Sequence, residues 1–185
     1  MEGVIDRAEE LLAEVPEWIW DGRSLPVPIE DIADSHCGLL VRDVDDMTAA
    51  PGCPPLGDDQ TISGLLLPSR GEIWVNADEA KQWPPRRRFT IGHELGHWAL
   101  HQDEQTALFC RHGSVDPEDE KDRPPIDPIE EQANWFAASI LMPAELIRVH
   151  YERTGGNFPA LCAIFKCSGA AMGRRLHQVI PRQTG

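Results

Sequence analysis

Val4, Ala8, Leu11, Leu12 and Val15 fall on one face of a 3.6-residue repeat. They predict an amphipathic helix at the start of the chain. "PVPIEDIADSHCG" predicts a short helix opened by Pro28 and closed at Gly38. The pattern then changes to β-prone runs. "GLLVRDV" predicts a strand, and "TISGLLLPSRGEIWVNA" a hairpin with its turn near Pro68 to Gly71. Between them, "DDMTAAPGCPPLGDDQ" holds too much Pro, Gly and Asp for regular structure. The helical period returns in "RRRFTIGHELGHWALHQ", in "IEEQANWFAASILM" up to Pro143, and in "PAELIRVHYERTGG", which Gly155 and Gly156 end. "FPALCAIFKCSGAAMGRRLHQVI" predicts two short helices around Cys167-Ser168, with Leu161, Phe165, Met172 and Leu176 at core spacing and Ser168 as N-cap. "DEQTALFCRHGSVDPEDEKDRPPIDP" is dense in charge and proline and reads as a surface insertion, mobile from Ser114 to Pro128. A helix, then mixed strands, then helices alone is the order of an α+β protein.

Composition narrows the classes. At 185 residues with 41% hydrophobic content, the chain suits one compact core. No run is long and apolar enough to span a bilayer, and the acidic start lacks the basic-then-apolar order of a signal peptide. A cytoplasmic location is the expectation. The five cysteines are odd in number and show no zinc-knuckle spacing, so free thiols are expected. The net charge of -14 is segregated: residues 1–143 hold 11 basic and 29 acidic side chains, a balance of -18, and residues 144–185 hold 6 and 2, a balance of +4. Such a chain repels nucleic acid and attracts basic proteins.

The chemistry concentrates in "HELGH". His93 and His97 are four apart, so a helix aims both imidazoles at one point. Glu94 is rotated by roughly 100° from His93 and can act on a water there rather than bind the same ion. Two imidazoles and a carboxylate base on one helix are the arrangement of a zinc hydrolase. A catalytic zinc needs a third protein ligand. His101 continues the series but lies roughly 6 Å further along the axis. The metzincin spacing fails, because its glycine and third histidine positions hold Leu100 and Asp103. The third candidate is a carboxylate of "IEEQANWFAASILM". Glu130 shares an edge of the apolar face with Asn134, and Glu131 points elsewhere, so Glu130 is preferred and Glu131 stays open. Asn134 is placed to hold the outer nitrogen of a ligating histidine. The alanines of this helix allow close approach. His101, His150 and Tyr151 are candidate oxyanion stabilisers.

"RRRFTIGHELGHWALH", "EEQANWFAASILMP" and the preceding "LLLPSRGEIWVNA", in that order, resemble the ImmA/IrrE family of zinc metallopeptidases. The likeness covers most of the chain from Pro26 onward. It implies a zincin-like (gluzincin) helical core beside a small mixed or antiparallel sheet over residues 1–143. It also implies a helical, helix-turn-helix-like segment over 144–185, packed on that core. It implies one zinc per chain held by His93, His97 and Glu130, with Glu94 as general base. Related gluzincins often carry aspartate where this chain has Asn134. The implied substrate is a basic helix-turn-helix repressor of a mobile element or stress response. Arg174 and Arg175 could touch phosphate, but a helical hairpin packed on the peptidase is the better reading, with no tight nucleic-acid binding by the chain alone. "GEIWVNA" could receive an extended substrate as an added strand. The rival readings are a non-enzymatic regulator or toxin–antitoxin component that keeps the fold, and a metal-dependent amidase. An intact Glu94 disfavours the first.

Overall fold

The computed structural model describes residues 2–51, 53, 60–101, 108–113 and 127–180. The N-terminal helix α1 (Glu2–Glu14) buries Val4, Ala8, Leu11, Leu12 and Val15, as the periodicity requires. A turn of helix, α2 (Ile29–Asp31), widens into a π-helical turn and ends at Gly38, whose φ of 70° suits glycine. Strands β1 (Leu40–Val44), β2 (Gln60–Leu67), β3 (Glu72–Asn76) and β4 (Leu108–Gly113) form one sheet in the order β1-β3-β2-β4. β1 runs parallel to β3, and β2 is antiparallel to both β3 and β4. The fold is α+β with a small mixed sheet.

Two expectations change here. β4 falls inside the segment expected to be a loop throughout, because that segment is dense in charge and proline and the partner of its short β-prone run, β2, is far away in sequence. β3, expected to offer a free edge, lies between β1 and β2, so among the described residues the sheet edges are β1 and β4. The acidic stretch 114–126, expected to be mobile and a possible cover for the cleft, lies outside the described residues.

Asn76 caps α3 (Ala77–Gln82), and after Trp83 the long helix α4 (Pro84–Leu100) begins with proline in its first turn. The arginines of "RRRF" anchor it rather than face solvent freely. Arg86 meets Glu79 at 3.0 Å, Arg87 grips Glu30 at 2.6 Å and Asp43 at 2.9 Å, and Arg88 donates to the Val27 carbonyl at 2.7 Å. Three neighbouring segments thus orient one helix. Asp127 caps α5 (Pro128–Leu141), which packs along α4. Then come α6 (Ala144–Thr154), ended by Gly155 at φ 59°, α7 (Phe158–Phe165), and α8 (Gly169–Val179), capped by the Ser168 hydroxyl.

The sheet separates two apolar clusters. Leu66, Ile73 and Val75 face the main core with α1, α4 and α5, and that core continues through Ile147, Leu161, Phe165, Met172 and Val179. Leu65, Leu67 and Trp74 face the other way, onto Met47 and Ala50. The alternation follows from the two-residue period of a strand. Among the described residues no helix is long and apolar enough to cross a membrane.

Candidate metal centre

α4 turns its middle into the core. Thr90 through His97 are all buried, including His93 at 5%, Glu94 at 0% and His97 at 1% exposure. Burial of three ionisable groups within two turns is costly unless they are paired, hydrogen-bonded or coordinate a metal. Against them lies α5. Gly92 faces Ala137, and Gly96 faces Ala133 and Phe136. A Cβ added at Gly96 would stand 3.1 Å from Ala133 Cα and 3.2 Å from its carbonyl oxygen. Two glycines on one helix and two alanines on the other, each pair four residues apart, therefore let the backbones nearly touch. The alanines were legible beforehand. The matching glycines were not, since glycine inside a helix is usually read as a cost.

The close approach brings Glu130 to the histidines. His93 Nε2 and His97 Nε2 are 3.0 Å apart. Glu130 reaches them at 3.2 Å (Oε2 to His93) and 3.4 Å (Oε1 to His97). Zinc bonds of about 2.0–2.1 Å at tetrahedral angles set ligand atoms about 3.3–3.4 Å apart. Each of these separations, one carboxylate oxygen to each imidazole, lies within a few tenths of an ångström of that spacing, and the donor set of two imidazoles and a carboxylate suits zinc. Among the described residues, these three are the cluster able to hold a metal. His93 Nδ1 lies 3.1 Å from Asn134 Oδ1. With the amide oxygen accepting, Nδ1 keeps a proton, so Nε2 is the nitrogen that would give its lone pair to a metal once it is deprotonated.

The electrostatics agree with a site built for a cation. Burial opposes a charge on His93, but the hydrogen bond to Glu130 and the nearby Glu94 and Glu130 carboxylates outweigh it and raise its pKa. Burial would likewise raise Glu130, yet its hydrogen bonds and attraction to His93 and His97 hold its carboxyl well below the usual carboxylate range. Glu131 is exposed on another face of α5.

Glu94 is aimed at the sheet. Gly64 of β2 is so close that an added Cβ would collide with Thr90 Cγ2 and stand 2.8 Å from Glu94 Oε1. A glycine within a strand signals close approach or a bulge, and β2 shows both: its register with β4 shifts between Ile62 and Gly64. The glycine of "TISGLLL" is the sequence signal for that approach.

The remaining candidates sit elsewhere. His101 follows the last turn of α4, its ring 5.5 Å from that of His97, with Nε2 3.2 Å from Gln132 Oε1. Tyr151, near the end of α6, lies beside Gly156. His150 packs its ring on Phe165. Arg175, a candidate for phosphate contact, is 1% exposed and cannot lie along a nucleic-acid backbone, because α8 turns it into the core.

The family described as peptidase M78, IrrE N-terminal-like domain, matches residues 56–177, about two thirds of the chain. The matched span holds the whole candidate centre. A comparison with curated proteins returns no match. Among solved structures, a Mycobacterium tuberculosis transcriptional regulator is similar, with a TM-score of 0.61 and 18% identity over 100% of this chain and 50% of that one. The chain thus spans about half the length of that regulator, and the likeness is one of fold.

Proposed function

This chain belongs to the peptidase M78 family of IrrE N-terminal-like domains, and on that premise we propose that it is a zinc-dependent endopeptidase that cuts a helix-turn-helix repressor. The observation that carries the reading is the convergence of His93, His97 and Glu130, with the two Nε2 atoms 3.0 Å apart and a Glu130 oxygen 3.2 Å from one and 3.4 Å from the other, and a buried carboxylate next to His93 on the same helix. In this reading the three side chains are the metal ligands. A zinc ion bound there supplies a Lewis acid that lowers the pKa of water toward ~7 and polarises a carbonyl.

The chain's own groups do the rest. Asn134 fixes the His93 tautomer. Glu94 takes a proton from the attacking water at a carboxylate oxygen and hands it to the departing amine nitrogen, so the carboxylate is regenerated each turnover. Gly64 and Thr90 confine the Glu94 side chain, and that confinement orients the base. An extended substrate pairs along the outer edge of β4 rather than along β3, which is enclosed; Cys110 of β4 pairs with Gly64, beside Glu94. His101, one turn beyond His97, is the candidate for a further electrophile. Residues 1–143 act as the peptidase unit and 144–185 as its helical support.

The repressor as substrate rests on the family likeness and on charge. A balance of -18 over residues 1–143 favours encounter with a basic protein. The test is metal analysis of the purified chain and incubation with the helix-turn-helix repressor encoded beside it. One zinc per chain, and repressor cleavage lost in Glu94→Gln with the zinc retained, is the expected result. Cleavage that survives Glu94→Gln removes the mechanism. A repressor that is bound tightly but left intact, with Glu94 in place, favours the regulator reading instead.

A further inference from the structure

A second concave site lies across α5 from the metal centre. It is a cavity of about 620 Å³ between the start of α4, the outer face of α5 and the junction of α7 with α8. That size falls within the range of small-molecule sites. Trp83, Phe89 and Trp135 line it, which gives flat apolar walls. Lys166, Arg174 and Arg175 line it as well, whereas Glu131 is the carboxylate among its described lining residues. This concentration of cations is unexpected in a chain of net charge -14. The cavity also meets the first turn of α8 through Ser168 and Ala171, where helix amides favour an anion.

Arg175 is the decisive residue. It is 1% exposed. Its Nε donates to the Met142 carbonyl at 2.9 Å, at the C-terminus of α5, and its Nη1 to Gln178 Oε1 at 3.2 Å. Its Nη2 is buried and has no hydrogen-bond partner among the described residues. Stapling α8 to α5 uses Nε alone, and a neutral side chain would perform that task at lower cost, since a buried charge without a counter-charge is strongly unfavourable. The charged groups that act on it, Glu9 in attraction and Arg148 in repulsion, do not form an ion pair with it. Burial lowers its pKa to about 10, so it stays charged at neutral pH.

We propose that this cavity binds a small amphipathic anion: an aromatic or acyl body bearing a carboxylate or phosphate, its charge near Arg175 and the first turn of α8, its body against Trp83, Phe89 and Trp135. Asn134 lines the same cavity while its Oδ1 holds His93, so the ligand lies one side chain from the metal centre.

The experiment uses the full chain in EDTA, which makes it independent of peptidase activity. Anilinonaphthalene sulfonate, an aromatic anion, is the probe, followed by its emission. Saturable one-to-one binding is expected. Octanoate and phenyl phosphate should displace it, and whichever acts at lower concentration assigns the head group. Inorganic phosphate and octanol should not displace it at those concentrations, because each has half of the required chemistry. Ala171→Trp fills the cavity without touching a charge and should abolish binding. Arg175→Met should weaken it by about tenfold or more, the worth of a charge-assisted hydrogen bond. Should Arg175→Met fail to fold, Ala171→Trp decides alone. Non-saturable binding, binding unchanged in Ala171→Trp, or displacement by octanol as effective as by octanoate overturns the proposal. So does displacement by peptide carboxylates and by neither small anion.

Discussion

Gly92→Ala and Gly96→Ala are a matched pair that isolates the spacing between α4 and α5. Both remove a glycine from the same helix, and each should gain about 0.5–1 kcal/mol from helix propensity. They differ in what the added methyl meets. At Gly92 the nearest atoms are Ala137 Cα and Cβ at 3.5 Å, an ordinary contact. At Gly96 they are Ala133 Cα at 3.1 Å, Ala133 O at 3.2 Å and Phe136 Cβ at 3.2 Å. Two of these are backbone atoms that cannot rotate away. Relief to the separation seen at Gly92 moves α5 back by roughly 0.3–0.4 Å, the difference between 3.5 and 3.1–3.2 Å. Ala133 lies one turn from Glu130, so the Glu130 carboxylate retreats with it. Metal sites tolerate about ±0.2 Å in their bonds. Gly96→Ala should therefore weaken zinc binding about 10–100-fold, the scale seen when a ligand's support is lost. Overpacking of about 1–3 kcal/mol should also outweigh its propensity gain. Gly92→Ala should keep wild-type zinc affinity and melt at the same temperature or higher. Competition titrations against a zinc-chelating dye, with melts of the metal-free proteins, measure both. Equal zinc affinities in the two variants would refute the reasoning that helix spacing sets the site.

Gly64→Ala should lower hydrolysis about 100-fold by displacing Glu94, while zinc content stays near one per chain, because the ligands lie on the α5 side of α4; adding Thr90→Ser, which removes the nearer clashing atom, should recover part of it, and a Gly64→Ala protein of normal activity contradicts the close packing. Glu130→Ala should reduce zinc affinity far more than Glu131→Ala, and titration of the two side by side reverses the assignment if the order is opposite. Removing metal with a chelator should lower stability by about 2.7 kcal/mol relative to zinc at 100 times its Kd, or about 5–11 °C in melting temperature at about 2–4 °C per kcal/mol; an unchanged melt speaks against metal binding by the folded chain. Repressor cleavage should slow as salt rises, and operator DNA should slow it further by covering the basic face; acceleration by operator DNA contradicts the electrostatic account.

Local periodicity made several features legible from the sequence. His93 and His97 share a helical face whatever surrounds them, because 3.6 residues per turn is a property of the backbone. The buried stripe of α1, the cap at Ser168 and the stop at Gly155 are local in the same sense, each decided within one or two turns. The choice of Glu130 beside Asn134 also followed from one helix's periodicity. That the carboxylate arrives 3.2–3.4 Å from both imidazoles did not. That distance depends on glycines of α4 meeting alanines of α5, a match between segments about 40 residues apart, and no local pattern encodes it. Three other outcomes belong to the tertiary structure for the same reason. β4 exists because β2 offers it a ladder of hydrogen bonds, although its own sequence is surrounded by loop-forming residues. β3 loses its free edge because β1 pairs with it in parallel, across more than 30 residues. Arg175 looks like a surface cation beside Arg174 on an amphipathic helix, and becomes a buried one because α8 packs that face against the end of α5. Pairing and packing between distant segments are set by the free energy of the whole core, so they can be read only once the chain is folded.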